Sequence, residues 1–388
     1  MSSYSLLHSN SLGRTDWCLE LQPLYRHGLL SSLSNGDVNL LDWNTGNCIR
    51  TVKAGNTSIN RMRVLDSDYD NGSVFSVAMN DAVKVLDLRV QGNSIVAELN
   101  NEKKTPFLSL DSRHGMLACG TELSGVDAEI HIYDIRNFDK PVRMLVDSHH
   151  DDVTDIKFHP SDPNVLLSGS TDGYTNVYDL TQVEEEDALH QVINYESVHS
   201  CGWLSPKRIY TLSHMETFAI HELNNKSDEL TEPKPLDFGD IRGTWDCDYV
   251  VDVYPGYIAV GKSEENNGNL KIIPFHNELL NINDSISIPN AHGDEVVRDV
   301  FISPKSQNIM YSCGEDGSVK TWKIENNSLQ VPPGFWDYST QINVLDDNID
   351  EQNIEQSTRN ISEPSIEKEK KKSKHKKSKH SKRRYKPY

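Results

Sequence analysis

The chain is poor in the features that mark several large protein classes. Its 388 residues include only six cysteines, Cys18, Cys48, Cys119, Cys201, Cys247 and Cys313, and no two stand in Cys-x-x-Cys spacing. Neither a disulfide framework nor a thiolate metal site is written in that pattern. Cys119 and Cys313 fall in runs of small residues and read as buried apolar filler. No apolar run is long enough to span a bilayer, and the opening MSSYSLLHSN lacks a basic stretch followed by an apolar one. Membrane insertion and a secretory leader are therefore not expected, and a reducing intracellular compartment is.

Basic charge is scarce as well, except at one end. Of 39 Lys and Arg and 58 Asp and Glu, twelve bases and one acid lie in residues 368–388, which leaves 27 bases and 57 acids elsewhere. The body is near −30 and the tail near +11. A body so acidic does not suit nucleic-acid binding over a broad surface, because phosphate demands positive charge. The tail is a separate device.

What the chain does have is repetition. Residues His149 to Leu180 read HHDDVTDIKFHPSDPNVLLSGSTDGYTNVYDL, with β-type runs at Val153 to Phe158, Val165 to Ser168 and Thr175 to Tyr178. Pro160, Asp162 and Pro163 force a turn between the first two, and Asp172-Gly173 supplies a tight hairpin. One such meander cannot bury its own apolar face. The same grammar returns at Ala291 to Lys323, and a residue ending each third strand recurs seven times: Asp42, Asp87, Asp134, Asp179, Glu222, Pro274 and Lys323. The intervals of 43 to 52 residues fit a repeat of about 40–45 residues with loop insertions. The fifth unit lacks Asp-Gly and carries His221 at the aromatic position, and the sixth keeps only the strand alternation.

His149, Asp172-Gly173 and Tyr178-Asp179, with His292, Asp316-Gly317 and Trp322, resemble WD-repeat β-propeller blades, and the wording of these two blades is similar to the WD-repeat protein 89 family. The resemblance covers nearly all of residues 11–325. It implies an all-β fold, a seven-bladed WD-repeat β-propeller over residues 1–325, with Ser5 to His8 as the outer strand of the last blade. Residues 326–367 read as an acidic and polar disordered linker, too short of apolar residues to offset ordering entropy, and 368–388 as a disordered Lys/Arg-rich tail.

The resemblance also implies hydrogen-bonded sets inside the blades: His149, Ser168, Asp172 and Tyr178 in blade four, and His292, Ser312, Asp316 and Trp322 in blade seven. Their composition imitates a Ser-His-Asp triad, but groups that satisfy one another inside a blade meet no substrate. Gly256 to Ser263 fits the phosphate-loop pattern letter for letter, yet Tyr257 to Val260 is a strand-forming run with no helix signal behind it. Asp66-Ser67-Asp68-Tyr69-Asp70 imitates a calcium loop, with Asn71 where glycine and Val77 where glutamate should stand, and reads as an acidic turn. His149, His150, Asp151 and Asp152 could be called metal ligands, but the blade pattern already uses His149. No catalytic group, metal or cofactor is expected.

Propellers work through their rims and channel. Alignment on Val153 to Phe158 places Trp17, Asn60, Pro106, Thr154, His199, Trp245 and Arg298 where inner strands begin. Tryptophan, histidine and arginine are anchor types at protein interfaces, although Trp17 and Trp245 could equally be packed under loops. The expected function is a non-enzymatic scaffold binding one or more proteins, a monomer within a complex. Two alternatives stand beside it. Arg89 and Arg136, each two residues after a blade aspartate, resemble the adaptor-binding box of ubiquitin-ligase substrate receptors. The other is a nucleic-acid-associated factor using the tail for weak RNA contact, while the same tail, with Lys370, Lys371, Lys372, Lys374, Lys376 and Lys377, then Lys379, Lys382, Arg383 and Arg384, reads as a signal for the nuclear import machinery. Nuclear or nucleolar residence is expected, with a cytoplasmic share.

Overall fold

A computed structural model describes residues 3–13, 15–65, 72–226, 233–263, 265, 268–303, 307–325, 329 and 342–346. The imitation calcium loop and the basic tail lie outside the described residues. Alternating apolar and polar residues build seven antiparallel sheets, arranged as the blades of a propeller. In blade four the strands run in chain order from the channel outwards: Val153–Phe158, Val165–Ser170, Tyr174–Asp179 and Leu189–Asn194. The hairpin between the middle pair turns on Gly173, whose φ of 92° suits a residue without Cβ.

Second strands are buried on both faces, so they read as apolar and small residues without alternation. Ser168, Gly169 and Ser170 are small because the next blade stands so close: a Cβ on Gly169 would meet Val198 Cγ1 at 2.6 Å. Gly120 faces Val153 in the same way one blade earlier, again at 2.6 Å. The phosphate-loop imitation is one of these strands. Gly256–Lys262 pairs antiparallel on both sides within blade six.

The ring closes through the two ends of the repeat region. Blade seven takes Val297–Ile302, Ile309–Gly314 and Ser318–Glu325 from the C-terminal side and Ser3–Ser11 as its outer strand. Ser5 pairs with Lys323 and His8 with Thr321, so no blade is left with three strands.

One part of the expected linker is ordered on the blades. Val344 is fully buried and Leu345 is 3% exposed, both in the apolar cluster of blades four and five. The expectation fails here because it judged what the segment could bury by itself. Two adjacent aliphatic side chains cannot build a core, but they can fill one that already exists. Leu329 is likewise buried, against blades six and seven.

Deleting residues 1–11 leaves the Ser318–Glu325 edge unpaired. The expected result is a thermal midpoint lowered by about 5 °C or more and self-association that grows with concentration in size-exclusion chromatography. An unchanged midpoint in a monomeric protein would contradict closure through this strand.

Candidate functional site

The polar residues inside the blades make closed sets. His292 Nδ1 lies 2.8 Å from Asp316 Oδ1, and Nε2 lies 2.8 Å from Ser312 Oγ. Trp322 Nε1–H donates to the same serine oxygen at 2.9 Å. Burial pushes the His292 imidazole below its usual range, partly offset by Asp316. A neutral ring donating from Nδ1 and accepting at Nε2 satisfies every member. In blade four, His149 Nδ1 is 2.9 Å from Asp172 Oδ2 and Nε2 is 2.7 Å from Ser168 Oγ. The Tyr178 hydroxyl stands 3.3 Å from Ser168 Oγ, a longer contact than the tryptophan makes. His221 in blade five replaces the aromatic residue and binds Thr211 Oγ1 at 2.9 Å. These groups, 0–7% exposed apart from the turn aspartates, satisfy one another inside the blades and do not line the channel.

The channel is a cavity of about 740 Å³ lined by inner strands. Every inner strand carries a bulge at the same place, between Cys18 and Glu20, Ile59 and Arg61, Phe107 and Ser109, Val153 and Asp155, Val198 and Ser200, Val250 and Asp252, and Val297 and Asp299. A bulge sharpens twist and re-aims the residues beside it. Four carboxylates then reach across to the neighbouring blade. Glu20 accepts Met62 N–H at 2.7 Å, Asp111 accepts Phe158 N–H at 2.8 Å, Asp155 accepts Cys201 N–H at 3.3 Å, and Asp299 accepts Leu21 N–H at 2.7 Å.

Cations offset much of this charge on one side. Arg63 bridges Glu20 at 3.1 Å and Asp111 at 3.2 Å, while Lys157 at 2.7 Å and Arg61 at 3.3 Å both reach Asp155. Burial alone would raise the Asp155 carboxyl, but Lys157 and Arg61 hold it well below the usual range. On the other side burial raises Asp252 to about 6 and raises Asp299 too, which also feels the charge of Asp252. Sequence reading missed this ring because alternation in Val-Thr-Asp-Ile-Lys-Phe looks the same whether the polar face meets a channel or solvent. The available signal was charge at alternate positions of an inner strand, such as Arg61 and Arg63 or Asp155 and Lys157.

The bulge also corrects the rim. The residues inside it are Leu19, Asn60, Leu108, Thr154, His199, Val251 and Arg298, so the alignment is in register in blades two, four, five and seven. Trp17 and Pro106 precede their bulges by two residues. Trp245 is not on the rim: it is 2% exposed at the end of a single helical turn, Arg242–Trp245, with its ring 5.4 Å from Phe218 and 6.3 Å from Phe238. The inserted turn shifts blade six by several residues, which a fixed spacing cannot register.

Asn60 and Thr154 are committed to neighbouring blades, donating to Phe107 O at 2.9 Å and Val198 O at 2.7 Å. Three rim side chains remain exposed. Trp17 is 43% exposed, and the Arg298 guanidinium lies 5.4 Å from its ring centre while pairing with Glu315. The His199 ring meets His214 edge to face at 5.0 Å. Arg89 and Arg136 lie elsewhere, at the outer ends of third strands. Each folds back on the aspartate two residues before it, Arg89 Nη2 at 2.7 Å from Asp87 and Arg136 Nε at 2.9 Å from Asp134, with most of its side chain in solvent.

The WD domain, G-beta repeat family matches residues 139–179 and 283–323, each of which holds the outer strand of one blade and the first three strands of the next, blades four and seven. A WD repeat-containing protein of Saccharomyces cerevisiae is 64% identical over 348 residues, 90% of this chain and 89% of the relative. The chain belongs to the WD-repeat family. This WD-repeat chain is also 27% identical over 338 residues to the WD repeat-containing protein 89 homolog of Dictyostelium discoideum, covering 83% of this chain and 87% of that one. A shorter likeness, 26% over 172 residues, links 43% of it to 39% of the histone acetyltransferase type B subunit 2 of Candida glabrata. WD-repeat propellers typically act as non-catalytic interaction scaffolds.

The two WD-repeat hydrogen-bond sets differ in one measurable way. Trp322→Phe removes a 2.9 Å bond to Ser312 and is expected to cost about 1–2 kcal/mol of unfolding free energy in a denaturant melt. Tyr178→Phe removes only long contacts, 3.3 Å to Ser168 and 3.4 Å from Asn176 Nδ2, and is expected to cost less than about 1 kcal/mol. A larger loss for Tyr178→Phe would contradict the assignment of the stronger set to blade seven.

Proposed function

We propose that this WD-repeat chain is a nuclear interaction scaffold that holds a protein partner on the channel rim, while its basic tail engages the import machinery. The observation that carries the reading is Trp17, 43% exposed and stacked under Arg298 at the mouth of the channel. An exposed aromatic ring and an arginine already oriented by Glu315 offer a partner an anchor that needs little further ordering. The charges deeper in the channel are paired with one another or with the backbone, so they contribute less to recognition than the rim does. The printed name of the Candida glabrata relative, a subunit of a larger enzyme, agrees with a role inside an assembly. For localisation the support is the density of Lys and Arg in residues 368–388, opposed to an acidic body. The same tail offers a weak contact to RNA.

Affinity purification from native extract tests the reading. Trp17→Ala with Arg298→Ala is expected to reduce nuclease-resistant partners at least tenfold without changing the melting midpoint. Deletion of residues 368–388 is expected to move the protein out of the nucleus and keep those partners. Partners that survive the rim substitutions, or that vanish with nuclease, would contradict rim binding. An unchanged distribution after tail deletion would contradict the targeting role.

A second reading rests on Arg89 and Arg136, which stand at one register on neighbouring blades with their side chains 72% and 85% exposed. A ubiquitin-ligase adaptor that recognises this pair should co-purify with the intact protein and be lost with Arg136→Ala. Absence of an adaptor from the intact protein would remove this reading.

A further inference from the structure

At the opposite end of the inner strands from the rim, blades four and five frame a groove with a built lip. The loop after Val153–Phe158 is shaped by His159, whose ring is fully buried. Its Nδ1 accepts N–H from Ser161 at 3.2 Å and from Asp162 at 3.0 Å, its Nε2 lies 3.0 Å from Pro206 O, and its ring centre lies 4.6 Å from that of Trp203. This fixes the Ser161 carbonyl and the Asp162 carboxylate over an apolar floor that includes Val165, Trp203, Ile209 and Leu223.

Residues 342–346 occupy the groove. Ile342 N–H donates to Ser161 O at 3.2 Å, Val344 N–H to Asp162 Oδ2 at 2.8 Å, and Lys226 N–H to Leu345 O at 2.9 Å. Asp346 N–H closes a turn on Asn343 O at 3.2 Å, beside Lys226. The segment adds no strand, and blades four and five are complete four-stranded sheets without it. Its contacts are those of a bound peptide: two buried side chains, two backbone N–H groups and one carbonyl read by fixed partners.

We propose that this groove is a peptide-recognition site whose resident ligand is the chain's own turn at residues 342–346, and that a protein partner presenting two adjacent aliphatic residues in a tight turn, followed by an acid, displaces it. The case for exchange is the shortness of the contact. Burial of two aliphatic side chains and a few hydrogen bonds is offset by the ordering of five residues, so tethering does much to keep the site filled. Covalent connection to the blades holds the turn at a local concentration on the order of millimolar. A free partner must exceed that concentration or bind more tightly, and its arrival releases the segment that leads to the basic tail. The site lies on a different face from Trp17 and Arg298 and does not depend on the rim reading.

The test uses full-length protein and a fluorescent peptide spanning residues 340–348. Val344→Asp with Leu345→Asp vacates the groove from outside the blades, and an unchanged melting midpoint shows that the propeller is intact. This variant is expected to bind the peptide at least tenfold more tightly than the intact chain does. Adding Asp162→Ala should weaken that binding at least tenfold, and a peptide carrying the same two aspartates should not bind. A folded, vacated variant that binds no better than the intact chain, or binds both peptides alike, would overturn the proposal. If the double variant does not fold, a protease site inserted between residues 330 and 341 of the otherwise natural chain replaces it. After cleavage the C-terminal fragment should leave on dilution and the propeller should then bind the fluorescent peptide; a fragment retained against a large excess of peptide, or a cleaved, folded propeller that binds no peptide, would overturn the proposal.

Discussion

A carboxylate that belongs to one inner strand and accepts a backbone N–H from the next is the contact on which the ring depends. Glu20, Asp111, Asp155 and Asp299 make it at four blade junctions, with N···O distances of 2.7–3.3 Å. Inner strands of different blades share no ladder, so these bonds do between blades what the ladder does within one. Charge-assisted bonds of this kind are worth about 1.5–3 kcal/mol each, provided the buried charge is itself compensated. Arg61, Arg63 and Lys157 supply the compensation on one side of the channel. Where it is outweighed, at Asp252 and Asp299, burial pushes the carboxyls towards their neutral forms.

The junction of blades four and five is reinforced twice more. Ser200 Oγ donates to Asp155 Oδ2 at 2.9 Å, and Thr154 of blade four donates to Val198 O at 2.7 Å. Charges in the channel wall are thus largely structural, and recognition falls to side chains left over at its mouth. Trp17, His199 and Arg298 are exposed there because nothing in the neighbouring blades requires them to be covered. The face at the other end of the strands is more covered, since residues 342–346 fill the junction of blades four and five.

Blade number and closure were legible in the sequence because both follow from local chemistry. Asp172-Gly173 and Asp316-Gly317 force hairpins, Val153 to Phe158 alternates, and an unpaired outer edge in blade seven requires a strand from elsewhere. The hydrogen-bond sets in blades four and seven could be read for the same reason, since their members stand at fixed register. Other features depend on three-dimensional context. Trp245 left the rim because a helical turn was inserted ahead of blade six, and no spacing rule measures an insertion. The carboxylate relay was invisible because a strand's polar face looks the same whether it meets a channel or bulk solvent. Val344 and Leu345 sat in a stretch whose composition predicts disorder, and only the groove shaped by His159 and Trp203 explains their burial.

Hydrogen exchange on the full-length protein, with and without its nuclease-resistant partner, bears most directly on where this propeller works. Added protection confined to the strand starts around Trp17, Asn60, His199 and Arg298, with outer strands such as Leu189–Asn194 unchanged, is the expected result. Protection that falls on the outer strands, or on residues 368–388 alone, would contradict the assignment of partner binding to the channel rim.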